Sequence, residues 1–175
     1  MDQQTQLVLF STDRELIAVL KQRFNSESHI SAVCGTGPEV GKEWKLDALW
    51  LTPMQAHYFG IADPLPPYVA KVFVMPTDKR KLGLPRLLIA GVVLEPGKTY
   101  SATRIAHLCA EALADAIADY NSSHQDSILR VGSVPENLGL GDLNNTEAFL
   151  AIRQVFSAPP ESSKNTQVLA EQQTA

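Results

Sequence analysis

A glycine-bearing loop between a strand-like and a helix-like segment is the feature of the sequence best suited to binding a ligand. The β-branched run "ILRVGSV" leads into "PENLGLGD", where Gly139 and Gly141 alternate with Leu138 and Leu140, and the helix-like "NNTEAFLAIRQVF" follows. Backbone N–H groups in such a loop, and at the start of the helix behind it, can bind the oxygens of an anion. The sequence therefore predicts a phosphate-type site at residues 138–142.

Two carboxylates, Glu136 and Asp142, flank this loop. A pair of acids at a loop can transfer protons. Acids beside a helix N-terminus more often cap the helix or interact with its dipole, and Asp142 would repel a phosphate unless its carboxylate is turned away. We therefore predict no catalytic role for either residue.

The four histidines offer little support for an enzyme. His57, in "MQAHYFG", is the one best placed to face a pocket, and a surface position on a short helix is the alternative. His29, His107 and His124 are expected at solvent-facing positions or in polar connections. No two histidines have metal-ligand spacing, and no serine stands in a Gly-x-Ser-x-Gly elbow. We predict no metal, no cofactor and no catalytic residue.

Composition narrows the classes of partner. The chain has 175 residues, 45% hydrophobic and 19% charged, with a net charge of −4. This balance argues against nucleic-acid binding, and the basic run 79–81 is expected to be a solvated loop. No apolar run approaches the roughly 20 residues of a membrane span, and "MDQQTQ" does not resemble a signal peptide, so a cytoplasmic protein is expected. Cys34 and Cys109 lie in apolar runs and are expected to be buried, reduced thiols.

Six apolar runs alternate with helical patterns. The strands are predicted at "QLVLFS", "HISAVCG", "LDALWLTP", "YVAKVFVMP", "LPRLLIAGVVLEPG" and "ILRVGSV". Thr12 and Glu15 have the spacing of a capping box for the first helix, and Asn144 is a candidate cap for the last. Strands that alternate with helices and are buried on both faces indicate a three-layer α/β/α sandwich. One domain is expected over 1–158, followed by a disordered polar tail, 159–175.

The longest helical pattern and the last one each carry an apolar stripe at a spacing of three and four. The residues predicted to form these two stripes are Ile105, Leu108, Cys109, Ala112, Leu113, Ala116, Ile117 and Tyr120, and then Phe149, Ile152 and Phe156.

Three motifs in this order resemble those of a known family. "AVCGTGPEV" stands where the family has a strand ending in Gly-Asp-Ile, and "LDALWLTPM" is similar to its Asp-Ala-Ile-Val-Asn-x-x-Asn stretch. "ILRVGSVPENLGLGDLNNTEAFLAI" is similar to its last strand, Gly-Val-Gly loop and following helix. From about Leu7 to Phe156 the chain thus resembles a macro domain, in the variant that begins with an extra strand and helix. The resemblance implies a central mixed six-stranded sheet and a site for ADP-ribose.

The chain departs from the family at the ligand contacts. Thr36 replaces the aspartate that contacts the adenine amino group, and Leu51 and Met54 replace the two asparagines that contact the terminal ribose. The first glycine-rich loop is reduced to "QAHYFGIADPLP", with Gly60 alone. Each lost contact costs about 1–3 kcal/mol, so we expect ADP-ribose to bind about three decades more weakly, or not at all.

The resemblance implies a cleft between "TPMQAHYFG" and the 138–142 loop, and Trp50 is expected in the core rather than in that cleft. The residues predicted to line it are Thr36, Leu51, Pro53, Met54, His57, Tyr58, Phe59 and Glu136.

Three functions are open at this point. The first is a divergent macro-like module that binds a nucleotide-like or other anionic small molecule, related to ADP-ribose and held weakly. The second is a ligand-free scaffold acting through protein–protein contact, with its cleft filled by Leu51, Met54, Tyr58 and Phe59. The third and most remote is an ADP-ribosyl hydrolase, which the loss of both asparagines argues against. The sequence names neither a ligand nor a protein partner.

Overall fold

The structure is a computed structural model that describes residues 5–156. It contains every strand that the sequence predicts, most of them shorter than the apolar run that encodes them. The predicted domain boundary at 158 and the predicted tail lie outside the described residues. The strands are β1 Gln6–Ser11, β2 Ile30–Cys34, β3 Ala48–Leu51, β4 Lys71–Val74, β5 Leu87–Ala90 and β6 Arg130–Ser133. The helices are α1 Arg14–Arg23, α2 Gly37–Glu43, α3 Pro53–Tyr58, α4 Thr77–Lys81, α5 Ala102–Ser123 and α6 Thr146–Phe156.

The six strands form one mixed sheet in the order β2-β1-β6-β3-β5-β4. β4 is antiparallel to β5 at one edge, and the other neighbouring pairs are parallel. Helices α1, α5 and α6 pack on one face, and α2 and α3 pack on the other. The predicted three-layer sandwich with a mixed sheet is therefore confirmed.

Alternation along β1 shows how the sheet is sandwiched between two cores. Leu7 and Leu9 belong to the core beneath α1, α5 and α6, whereas Val8 and Phe10 belong to the core beneath α2 and α3. Side chains of a strand point alternately to its two faces, so an unbroken apolar run fits a sheet covered on both sides. Trp50 in β3 is 1% exposed, which confirms its predicted place in the core.

Both predicted helix caps are displaced by one residue. Asp13, not Thr12, begins α1, since its carboxylate accepts hydrogen bonds from the N–H groups of Glu15 and Leu16, both at 3.1 Å. Asn145, not Asn144, serves α6, with its side-chain oxygen 3.3 Å from the N–H of Ala148. In each case two neighbouring residues can both cap, and only the backbone path decides between them.

Several expected burials are wrong. Cys34 is exposed because β2 is an edge strand that ends there, whereas Cys109 is half-buried in α5. Ile105 lies at the margin of the α5 stripe and is exposed, and Ala106 is buried in its place. Strand β4, at the other edge of the sheet, is only partly covered on each face: Val72 and Phe73 are half-buried against the two cores, whereas Lys71 and Val74 are exposed. The predicted stripe of α6 is confirmed in full, with Phe149, Ile152 and Phe156 all buried.

The basic run 79–81 is helical rather than a loop. It forms the end of α4, a short helix with no buried residue. The run is still solvated, as expected, apart from Lys79, whose ammonium lies 5.4 Å from the centre of the Phe59 ring. This contact places α4 beside the end of α3.

Candidate functional site

The predicted ligand loop and helix α3 are neighbours at the carboxyl edge of the sheet. The loop follows β6 and α3 follows β3, and these two strands pair directly, with Leu49 opposite Gly132. Parallel strands deliver the segments after them to the same edge, where α/β folds usually bind ligands. The structure therefore brings together the two segments that the sequence predicted as cleft walls.

The predicted ligand loop is fixed by buried side chains and by hydrogen bonds within the loop itself. A 3₁₀ turn, Pro135–Leu138, is followed by Gly139 in the left-handed conformation at φ 76°. The side chains of Leu138 and Leu140 are fully buried in the core. Two of the predicted anion-binding N–H groups are occupied inside the loop, because Gly139 donates to the carbonyl of Glu136 at 3.2 Å and Leu140 donates to that of Pro135 at 2.9 Å.

The next two amides differ. Within the described residues, the N–H groups of Gly141 and Asp142 donate no hydrogen bond, and both residues are exposed. The Asp142 carboxylate accepts a hydrogen bond from the N–H of Asn144 at 3.0 Å, so it is engaged with the chain that follows. Glu136 packs against Gly141, since a Cβ added at that glycine would lie 3.0 Å from the Glu136 Cγ. The loop thus offers two free amides beside two acids.

Helix α3 begins with a capping box that also positions the site. The Thr52 hydroxyl accepts from the N–H of Gln55 at 3.2 Å, and the Gln55 side-chain oxygen accepts from the N–H of Thr52 at 3.1 Å. Pro53, a predicted cleft residue, is the first residue of this helix and needs no N–H partner there. The box fixes both the start of α3 and the direction in which Gln55 extends.

A hydrogen bond between two side-chain amides joins the walls. Asn137 Nδ2 donates to Gln55 Oε1 at 2.8 Å. The Thr52 N–H identifies which atom of the Gln55 amide is the oxygen, because only an oxygen can accept a hydrogen bond from it. The Asn137 atom that contacts this oxygen must therefore be the amide nitrogen. The bond therefore leaves two groups unpaired, the Gln55 Nε2 donors and the Asn137 Oδ1 acceptor.

These remaining amide groups are unpaired and not completely buried. Neither Gln55 Nε2 nor Asn137 Oδ1 has a hydrogen-bond partner among residues 5–156, and no unpaired side-chain nitrogen or oxygen in that range is buried. Trp50 holds the arrangement from below, with its indole N–H donating to the Asn137 carbonyl at 3.1 Å. One amide donor and one amide acceptor are thus left unpaired on two neighbouring side chains.

The other predicted cleft residues are dispersed. Leu51 is buried in the core under α2 and α3, and Phe59 packs against that core. Met54 and Tyr58 extend into solvent and are 70% and 78% exposed, and His57 is exposed as well. The four residues that were expected to fill the cleft of a scaffold therefore do not pack together.

Thr36 lies apart from the rest of the predicted site. It follows β2, and β1 and β6 stand between that strand and β3, a separation of about 14 Å at normal strand spacing. Its hydroxyl caps α2, accepting from the N–H of Glu39 at 3.4 Å and donating to the Glu39 carboxylate at 2.8 Å.

Sequence reasoning missed Thr52, Gln55 and Asn137. "TPMQ" is a Thr-x-x-Gln capping box with proline at the first helical position, so two of them could have been found. Asn137 carries no local signature, because its partner lies 82 residues away in the chain.

In the described part of the site, no hydroxyl or thiol nucleophile stands beside a base. Cys109 is the half-buried thiol of α5, and burial raises its pKa to about 11, so it stays protonated at neutral pH. His107 Nε2 lies 3.7 Å from a carboxylate oxygen of Glu147. The groups available to a ligand are the unpaired amides and the carboxylates of Glu136 and Asp142 beside them.

Two cavities formed by described residues lie away from this site. One, of about 600 Å³, is at the amino edge of the sheet, and the other, of about 450 Å³, lies between Tyr68 and α5. No group of three His, Cys, Asp or Glu side chains within residues 5–156 could hold a metal ion. Of the helices in the same range, none has both the length and the apolar character needed to cross a membrane.

Comparison with family models, curated proteins and solved structures gives no match for this chain. The macro-domain resemblance thus rests on the motifs and their order alone.

Proposed function

We propose that this chain is a macro-domain-like module that binds a nucleotide-like or other anionic small molecule between β3 and β6. The observation that carries the proposal is the Gln55–Asn137 bridge, which leaves one amide donor and one amide acceptor open at the carboxyl edge. The free N–H groups of Gly141 and Asp142 follow in the adjoining loop.

These two features suit two parts of one ligand. A nucleobase such as adenine offers an acceptor and a donor side by side, the pattern that asparagine and glutamine amides recognise. Consecutive N–H groups after a left-handed glycine suit a phosphate oxygen. Glu136 and Asp142 lie beside those amides and weaken the attraction for an anion, so binding is expected to be modest.

The proposed site still differs from that of the macro-domain family at the ribose contacts. Leu51 and Met54 still supply no contact for a terminal ribose, since one is buried and the other carries only a thioether. Gln55, next to Met54, supplies an amide from the same helix instead. Recognition of ADP-ribose through this amide would differ from that of the family, and no hydrolysis is expected.

One observation favours a second candidate, a scaffold that binds protein. Met54 and Tyr58 are four residues apart on α3, so they share one face of the helix, and both are largely exposed. Replacing Met54 with glutamate should abolish a concentration-dependent association if this face is an interface. Sedimentation of the chain and of Met54→Glu would show it.

Calorimetric titration with ADP-ribose and ADP tests the first candidate. Gly141→Glu places a third carboxylate at the free amides, and Ala18→Glu adds the same charge at an exposed position of α1. We expect binding to be at least about tenfold weaker in Gly141→Glu, because a charge-assisted hydrogen bond contributes about 1.5–3 kcal/mol. Ala18→Glu should bind as the unaltered chain does. Equal binding by all three proteins, or no heat at millimolar ligand, would reject the site.

A further inference from the structure

A second set of polar groups lines a groove at the opposite, amino edge of the sheet. The groove has a volume of about 600 Å³, within the range of about 300–1,000 Å³ typical of small-molecule sites. His29, Lys45, Asp47 and Arg130 contribute to its wall, from the segments that lead into β2, β3 and β6. Its position makes it independent of the site between β3 and β6.

The negative charge of the groove is already engaged in the fold. Asp47 Oδ2 accepts hydrogen bonds from the N–H groups of Leu129 at 2.8 Å and Arg130 at 3.0 Å. Asp47 Oδ1 lies 3.9 Å from the guanidinium of Arg86, which also pairs with Asp126. These contacts partly offset the repulsion between the Asp47 carboxylate and an anion in the groove.

The positive charges are less fully engaged. The Lys45 side chain is exposed and makes no ion pair with a described residue. Arg130 uses Nη1 to bind the carbonyl of Trp44 at 2.9 Å, and it keeps the donors on its other nitrogens. That contact fixes the guanidinium beside the residue that precedes Lys45. The cationic side chains of Lys45 and Arg130 thus both line the groove, and that of Arg130 is fixed by a hydrogen bond.

The backbone places Lys45 in an unusual conformation. Lys45 has φ 51°, in the left-handed region that non-glycine residues seldom adopt. Asparagine tolerates this region better than lysine does. Lys45 directly follows Trp44, the C-cap of α2, where a cation also interacts favourably with the helix dipole.

We propose that this groove binds a small molecule carrying two or more phosphate groups. Lys45 and Arg130 contact the phosphate oxygens, and a ring nitrogen of His29 and the hydroxyl of Ser28 supply further donors from the opposite wall. Leu129, which is 38% exposed, offers an apolar contact for the remainder of the ligand. The chain then holds two ligand sites at opposite ends of β6.

Pyrophosphate is the probe for this proposal, titrated at low salt with binding followed by amide chemical shifts. Lys45→Asn removes the charge at the end of α2 and suits the left-handed backbone, and because these two effects oppose each other it should fold about as well as the unaltered chain. Lys71→Asn is the matched control, since Lys71 is exposed and pairs with Ala90 at the carboxyl edge. We expect Lys45→Asn to bind about tenfold more weakly, and Lys71→Asn to bind normally.

Two further comparisons separate this site from the proposed one. Gly141→Glu should leave pyrophosphate binding intact, and the largest shifts should fall at residues 28–29, 45 and 129–130. Shifts at 139–142 that Gly141→Glu abolishes would assign the anion to the other edge and overturn the groove. Equal affinity for citrate would overturn the assignment to phosphate, and no shift at millimolar pyrophosphate would overturn the site itself.

Discussion

The side chains of Gln55 and Asn137 are joined by a hydrogen bond of 2.8 Å that links the segment after β3 to the segment after β6. The Gln55 oxygen also accepts from the N–H of Thr52, so this one atom caps a helix and joins the two walls. The geometry of the site therefore depends on the correct start of α3. Substitutions in this network should affect stability and binding together.

Asn137→Asp tests how firmly the two walls are joined. The aspartate would place an oxygen against Gln55 Oε1, and Gln55 cannot turn over without leaving the Thr52 N–H unpaired. We expect a loss of about 1 kcal/mol in the free energy of unfolding, measured in urea, which is the net contribution of a typical hydrogen bond. Asn25→Asp, an exposed loop change, is the control and should lie within about 0.5 kcal/mol of the unaltered chain. Equal stability of the two variants would show that the bridge contributes nothing.

Gly139 tests the shape of the loop independently of any ligand. At φ 76° an alanine would be strained, and its Cβ would lie 3.4 Å from the Cβ of Ala148. We expect Gly139→Ala to cost about 1–2 kcal/mol in thermal or urea unfolding. Gly139→Asn should cost less, even though it is larger, because asparagine adopts the left-handed region more readily. If asparagine were the more damaging of the two, steric crowding rather than backbone conformation would explain the glycine.

The Glu95–Lys98 pair predicts a pH dependence. The Glu95 carboxylate lies 2.7 Å from the Lys98 ammonium. A hydrogen bond from Lys98, and a second from Tyr68, lower the pKa of Glu95, and the hydrogen bond to Glu95 raises the pKa of Lys98. The unfolded carboxyl therefore binds its proton at higher pH than the folded one. The stabilisation is present above the usual carboxyl pKa near 4.5 and is lost as pH falls through the lowered pKa of Glu95.

At alkaline pH the stability changes in the opposite direction, falling as pH rises. The stabilisation from Lys98 is present below its usual pKa of 10.5 and is lost as pH rises through the raised value. Lys98→Ala should therefore flatten the stability profile at both extremes, with urea unfolding as the measurement. Lys42→Ala, at an exposed position of α2, should leave both limbs in place. A Lys98→Ala profile parallel to that of the unaltered chain would contradict the assignment.

The sequence predicted the architecture because the sheet is covered on both faces. Strands such as β5, whose four residues are all buried, must be apolar without interruption, and this pattern can be read directly. The burial of the two edge strands was predicted wrongly. Nothing in "HISAVCG" or "YVAKVFVMP" indicates that β2 and β4 each lack a neighbouring strand on one side. Edge position depends on strand order, which is set by contacts distant in the chain.

The candidate site was predicted only as far as local patterns extend. The glycine loop and its position before α6 were visible, but the occupied amides of Gly139 and Leu140 depend on how the 3₁₀ turn folds back. The Gln55–Asn137 bridge required the pairing of β3 with β6, which no local pattern encodes. By resemblance, Leu51 and Met54 occupy the positions of the two family asparagines. Leu51 is buried because it is the last residue of β3, whereas Met54 is exposed because it lies in the first turn of α3.

The two cysteines should differ sharply in reactivity, and this tests the exposure of the β2 edge. Cys34 is exposed at the end of β2, whereas burial raises the pKa of Cys109 to about 11 and limits access to it. A thiol reagent at neutral pH should therefore label one cysteine in the native chain and both in urea, since the thiolate is the reacting form. Cys34→Ser should leave no rapid native labelling, and Cys109→Ser should leave it unchanged. Rapid native labelling that persists in Cys34→Ser would mean that α5 opens readily, and it would place the flexible part of the fold at the helix rather than at the sheet edge.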